Sequence, residues 1–223
     1  DESVVLVGGK DLPKYEEQPP FWILEKWYQL CEYGHCLSEL SLIDFGDKKR
    51  EIPAQYVFGC NFSIRKQILQ STDGFHHDGM PFELIQFSGD GESFVSKYIT
   101  EHHLKTIYNP LASVYHIVST SRMTIDYFKK RAFCAGIEMS YIDKRYKTIN
   151  KPTSKRVGKL AKWTRIVTGI DADGQLKTLL NKTTLTDIEK QIFQSYSIGY
   201  QYHDTLYHSD KSLREWVHQN NYL

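Results

Sequence analysis

Carboxylates, imidazoles and guanidinium groups crowd into one stretch of this chain, residues 73–131. Asp90 stands between Gly89 and Gly91, with Glu92 two positions on. Flanking glycines let a ligand come close to the backbone, and a carboxylate so placed can take a proton from a hydroxyl as a general base. The same Asp90 can instead cap a helix opening at Gly91, because a short acceptor side chain satisfies the first free N–H groups. The two roles are compatible. Glu92 falls in the first turn of that helix, where the dipole favours an anion. Upstream, His76-His77-Asp78 has the residue types of a metal site. Adjacent imidazoles rarely reach one ion, so His77 and Asp78 read as groups that hydrogen-bond a polar ligand or their own loop. Downstream, His116 closes an apolar run, and a neutral imidazole there is either a structural hydrogen-bonding group or a ligand for an ion such as Mn²⁺, whereas Mg²⁺ prefers oxygen. Arg122, Lys130 and Arg131 follow. They either neutralise phosphate charge or form the solvated face of a helix.

Three further clusters carry less chemistry. Cys31-x-x-x-His35-Cys36 lacks a second ligand pair and reads as packing. Phe21, Trp22 and Trp27 form either a stacking platform for a sugar ring, with Trp22 foremost, or the apolar stripe of a helix. Asp171-Ala172-Asp173 has the form of a metal-binding Asp-x-Asp, yet 14 Asp in 223 positions give about one such match by chance.

The elements that position these residues can be read from periodicity. A β-branched run ending in Gly-Gly predicts a buried parallel strand over residues 3–8. A polar, proline-containing loop is expected over 10–20, then an aromatic amphipathic helix over 21–33 behind Pro19-Pro20. Strands are expected over 40–45 and 56–60, a helix over 63–70, and a long irregular stretch over 71–88. Loops of that length in compact domains are usually functional or disordered. A helix over 91–102, strands over 104–108 and 113–118, and a long helix over 123–145 complete the alternating part. Beyond it the signals are helical only: Thr186-x-x-Glu189 has capping-box form and Asp210 can cap a last short helix. The pattern predicts an α/β domain over residues 1–150 and a helical C-terminal extension over 151–223.

Lys and Arg number 28 against 27 Asp and Glu, so no global field recruits nucleic acid. The basic run Lys151, Lys155, Arg156, Lys159 and Lys162 is where contact with an anionic membrane, polymer or partner would fall. No apolar run reaches the roughly 18 residues needed to cross a bilayer. Four cysteines without a C-x-x-C pair read as reduced thiols, which fits a cytoplasmic protein, peripheral to a membrane at most. The Asn-x-Ser/Thr matches at Asn61 and Asn181 are taken as chance.

Taken in order, Gly59-Cys60-Asn61-Phe62-Ser63, Gly74-Phe75-His76-His77-Asp78-Gly79-Met80-Pro81, Gly89-Asp90-Gly91-Glu92 and Val114-Tyr115-His116 resemble the second half of the family 2 glycosyltransferases of GT-A architecture. That family has a small-residue-Asn-Phe turn, a Gly-Gly-Phe loop, an acidic motif opening a helix, and a strand ending in Tyr-His. Asp73 departs from it, standing where the first glycine belongs. The resemblance covers about residues 3–146, including Val7-Gly8-Gly9-Lys10 and Arg122-Met123-Thr124 leading to Tyr127-Phe128-Lys129-Lys130-Arg131. The tail, Gly199-Tyr200-Gln201-Tyr202-His203 and Leu213-Arg214-Glu215-Trp216-Val217, is similar to the ending of some of these enzymes.

The resemblance implies the C-terminal, acceptor-side part of a Rossmann-like GT-A mixed sheet flanked by helices. It implies inverting transfer from a nucleotide-sugar donor to a hydroxyl of a glycan or lipid-linked acceptor. Asp90 would be the base, projecting ionised into a cleft, with Glu92 beside it. Arg122, Lys130 and Arg131 would face the leaving diphosphate, and His116 the diphosphate or a divalent metal (Mn²⁺ or Mg²⁺). Trp22, His77, Asp78 and Tyr115 would contact the acceptor. A nucleotide-binding half carrying the remaining metal ligands is expected upstream of Asp1. Two other classes stay open: a non-catalytic carbohydrate-binding or regulatory module, and an interaction domain working through the basic run.

Overall fold

A computed structural model describes residues 2–146 and 186–219. The basic run, Asp171-Ala172-Asp173 and Asn181 lie outside the described residues. The strands are β1 (Val4–Tyr15), β2 (His35–Leu37), β3 (Leu42–Asp44), β4 (Arg50–Glu51), β5 (Ser63–Ile64) and β6 (Lys105–Val118). The helices are α1 (Phe21–Tyr28), α2 (Lys66–Ser71), α3 (Gly91–Glu101), α4 (Ile125–Tyr146), α5 (Asp187–Ser209) and α6 (Lys211–His218). The sheet is mixed and open: β1 and β6 run parallel at its centre, and every other pairing is antiparallel.

β1 does not stop at Gly8. It continues through Lys10 to Tyr15, where a loop was expected, because β6 lies alongside it as far as Tyr15↔Val118. Pairing with a long neighbour overrides the polar composition of Lys10–Lys14, as context routinely does for strands. Pro13 is tolerated since it sits past Asp11↔Ile43, the last described pair on the other edge of β1. The two strands expected over 104–108 and 113–118 are one. Between Gly8↔Tyr108 and Lys10↔Ser113 the register shifts, so residues 109–112 bulge out of a continuous β6.

The strand expected over 56–60 is absent. Two single 3₁₀ turns, Ala54–Tyr56 and Gly59–Asn61, take its place, closed by Tyr56 N–H to Pro53 O at 3.1 Å and Asn61 N–H to Phe58 O at 2.9 Å. The apolar residues there serve packing, with Tyr56 and Val57 buried, and not ladder pairing. α1 is shorter than its apolar spacing predicts, ending at Tyr28. Ile23 and Trp27 face inward while Phe21 and Leu30 stay exposed. The C-terminal caps form as read: Thr186 and Glu189 close a reciprocal capping box, and Asp210 Oδ1 accepts from the N–H groups of Ser212 and Leu213.

Two apolar clusters hold these layers together. Val5, Leu6, Ile43, Phe45, Val95, Ile99 and Tyr108 pack α3 against one region of the sheet. Ile23, Trp27, Leu42, Val118, Phe128, Ile192 and Tyr196 join α1, α4 and α5 to another. Each large side chain so buried contributes about 1.5–3 kcal/mol. α5 therefore shares a core with the sheet, while Leu213 and Val217 of α6 pack in a separate cluster with Tyr141 of α4. α4 and α5 cross at Gly136 and Gly199, where an added Cβ would strike the Tyr196 and Phe133 carbonyls of the facing helix. All four cysteines are free thiols. No described helix is long and apolar enough to cross a membrane.

Candidate functional site

The N-terminal end of α3 is where the chemically able side chains meet. Asp90 precedes the helix but makes no capping hydrogen bond. Its carboxylate is 3% exposed and turns instead to two partners. Oδ1 lies 2.5 Å from His76 Nδ1, and Oδ2 accepts from the Tyr146 hydroxyl at 3.0 Å. The cap reading is thereby removed. So is the expectation of a carboxylate projecting freely into a cleft, because α4 brings Tyr146 over it and the 71–88 loop brings His76. The His76 ring is fixed in turn, stacked on Phe94 at 3.7 Å between centroids. Burial, and then the Asp90 charge, hold the Tyr146 phenol above its usual proton affinity.

Around this buried pair lies a second, more open layer. Asp78 packs against Gly91, whose φ of +46° and lack of a side chain make the contact possible, since a Cβ would come within 2.9 Å of Asp78 Cβ. Glu92 accepts the N–H of Gly59, and burial together with the Asp78 charge raises its proton affinity while Arg131 opposes. Glu138, from α4, accepts from the Ser93 hydroxyl at 2.9 Å. Burial pushes its carboxyl up to about 8 against that hydrogen bond; Asp78 and Asp90 push the same way and Arg131 the other. His77 lies over Trp216 of α6 at 5.3 Å, and Trp216 Nε1 donates to Phe87 O at 2.9 Å, which ties the loop to the C-terminal helix. Asp78, Glu92 and Arg131 are thus brought together, with His77 on the same loop and Lys130 exposed next to Arg131.

A second pair joins His116 of β6 to Arg122 in the 3₁₀ turn Thr120–Arg122 that follows it. Arg122 Nη1 is 3.1 Å from His116 Nε2, and its Nε donates to Tyr127 Oη at 2.9 Å. A guanidinium only donates, so Nε2 accepts and His116 Nδ1–H donates to Ser41 O at 3.3 Å. Both ring nitrogens are engaged. Among the described residues no group of three His, Cys, Asp or Glu side chains is arranged to hold a metal ion, and this donor set does not fit one. The turn at Gly59–Asn61 links the two pairs. Gly59 touches Glu92, and Cys60 Sγ and His116 Nδ1 approach the same Ser41 carbonyl, while Asn61 Nδ2 donates to Ala112 O at 2.8 Å and pins the turn on the β6 bulge. Beneath it Asp11 is 1% exposed. Burial pushes its carboxyl up to about 6 against hydrogen bonds from Asn61 and Cys60.

Trp22 and Tyr115 stand apart from this arrangement. The Trp22 ring is packed edge-on to Phe128 at 4.8 Å in the apolar cluster, so the platform expected there is core. Tyr115 is 70% exposed and lies on the face of β6 opposite His116, as adjacent strand residues must. Sequence reasoning passed over Glu138, Tyr146 and Asp11, and noted His76 only as part of its loop. Arg131 and Glu138 are seven apart, two turns along one helix face, the one signal that singles out Glu138. No local signal joins His76 to Asp90. No protein-family model, no curated protein and no solved structure matches this chain.

Proposed function

We propose that this chain is the acceptor-side part of an inverting glycosyltransferase of GT-A type, moving a sugar from a nucleotide donor to a hydroxyl. The observation that carries the reading is the convergence of Asp78, Glu92, Glu138 and Arg131 over the Asp90–His76 pair at the start of α3. In such a transfer the acceptor oxygen bonds to the anomeric carbon as the bond to the diphosphate oxygen breaks, and the hydroxyl proton passes to a carboxylate. Asp90 takes that proton once the acceptor hydroxyl replaces His76 or Tyr146 at its carboxylate, so either the 71–88 loop or the end of α4 shifts for turnover. Glu92 and Glu138 hydrogen-bond the acceptor with His77 and Asp78. Arg122, held by His116 and Tyr127, offsets charge on the departing diphosphate, with Lys130 and Arg131 as further cations. No step is assigned to a metal ion.

One observation favours a second reading, a non-catalytic carbohydrate-binding module: Asp90 is buried and both its oxygens already have partners. The full-length natural protein and its Asp90→Asn variant separate the two. Calorimetry with uridine and guanosine diphosphates is expected to give the same affinity for both proteins, and transfer from a panel of labelled nucleotide sugars is expected from the parent alone. Near-normal turnover in Asp90→Asn removes the base assignment. Saturable oligosaccharide binding without diphosphate binding or transfer supports the module.

A further inference from the structure

At the other end of α3, about 15 Å along the helix from Asp90, the surface opens into a cavity of about 600 Å³. Its floor is buried: Ile52, Ala54, Tyr56, Ile99 and Thr106 are each at most 5% exposed. Its rim is exposed and carries Glu32, Glu51 and His103. The Tyr33 ring stands in its wall, edge-on to Tyr56 at 5.2 Å. Among the described residues lining the cavity none is Lys or Arg. An anion entering here would meet two carboxylates and no fixed cation, so phosphates and carboxylates are disfavoured.

The floor holds one polar anomaly. Thr106 is 2% exposed, and its hydroxyl has no hydrogen-bond partner. A buried hydroxyl left unpaired costs about 1–3 kcal/mol, and such orphans are rare enough in folded proteins to require an account. With less than 1 Å² of its oxygen accessible, that hydroxyl is sealed beneath the floor and out of a ligand's reach, so the ligand chemistry is set by the rim and the wall. Two rim carboxylates and an aromatic wall favour a positive charge, through ion pairing and through the negative faces of the tyrosine rings.

We propose that this cavity binds a small organic cation, an ammonium group on a compact apolar body, with Glu32 and Glu51 receiving the charge and the body lying against Tyr33, Tyr56 and Ile99. This site is separate from the α3 N-terminus and does not depend on the transferase reading. A charge series of one shape tests it. The probes are 2-phenylethylammonium, 2-phenylethanol and phenylacetate, titrated into the parent protein while the amide resonances of Ile52, Tyr56 and Thr106 are followed.

The ammonium is expected to shift those resonances and to bind about tenfold tighter than the alcohol, with the carboxylate weaker still, and its affinity is expected to fall as salt rises. Glu32→Gln and Glu51→Gln are each expected to weaken the ammonium about threefold and leave the alcohol unchanged. Thr106→Val removes the orphan hydroxyl at near-constant volume. It is expected to raise the melting temperature of the ligand-free protein and to leave ammonium affinity unchanged. The proposal is overturned if the alcohol or phenylacetate binds as tightly as the ammonium, if nothing binds at millimolar concentration, or if the shifts map elsewhere.

Discussion

On α4, Tyr141 and Tyr146 reach toward Asp90 and His76, while Ser140 and Asp143 turn to α5, where Ser140 Oγ lies 2.9 Å from His203 Nδ1 and Asp143 Oδ2 accepts from Tyr200 at 2.9 Å. Both clusters bury a histidine and a carboxylate. In the first the histidine meets the carboxylate directly, and a layer of partly open carboxylates and Arg131 surrounds the pair. In the second the histidine meets only a hydroxyl, its Nε2 has no partner, and the crossing of α4 and α5 closes over it. Burial lowers the His203 proton affinity to about 4, with Lys144 adding to the effect and Asp204 opposing. The contrast teaches which buried polar cluster to suspect of chemistry: the one next to groups that a ligand can touch, not the one sealed between helices.

The strongest way to break this comparison is to remove the carboxylate of the first cluster. Asp90→Ala strips His76 and Tyr146 of their shared acceptor, and a loss of about 3–5 kcal/mol is expected in urea unfolding. A loss below about 1 kcal/mol would mean that the pair contributes little, and the two clusters would no longer differ in kind.

Acid titration examines the second cluster. His203 has a folded-state affinity below its unfolded value of 6.5, so its stabilising effect is complete above that value and is lost as pH falls toward about 4. The expected loss is about 3 kcal/mol. His203→Gln should flatten that part of the stability profile; an unchanged acid limb would place the titration elsewhere.

A smaller effect of opposite sign belongs to Glu138. Its carboxyl, raised from 4.5 to about 8, favours the folded state fully below 4.5, and that contribution disappears as pH rises through 8. Glu138→Gln cannot lose a proton, so its gain over the parent should grow with pH and reach about 1–2 kcal/mol near neutrality, partial solvent access weakening the effect. Calorimetric melting from pH 4 to 9 measures both slopes. Between 4.5 and 6.5 the two groups oppose each other, and the single variants are needed to expose either.

Several parts of the fold could be read from the chain because the signals are local. Thr186 with Glu189, Asp210 with Ser212 and Leu213, and the 3.6-residue spacing of α4 each act within a few residues. Within the candidate site, Asp90 was picked out by its flanking glycines, and Glu92, Asp78 and Arg131 by residue type and by the family resemblance; the fold brings them together. His116 and Arg122 were also chosen, but their pairing with each other was not foreseen. Trp22 was read either as a stacking platform or as the apolar stripe of a helix and is packed, because an aromatic at helical spacing carries no mark of which face meets the core.

Residue types and caps therefore settled which groups are available for chemistry and where the helices begin. Tertiary structure decided which groups meet. The extension of β1 to Tyr15, the burial of Asp90 and its contact with His76 all depend on partners 14 to more than 100 positions away along the chain. Strand pairing, desolvation and the closing of a carboxylate between a loop and a distant helix are pairwise energies between remote segments. A one-dimensional pattern records each segment's preference but not the neighbour that overrides it.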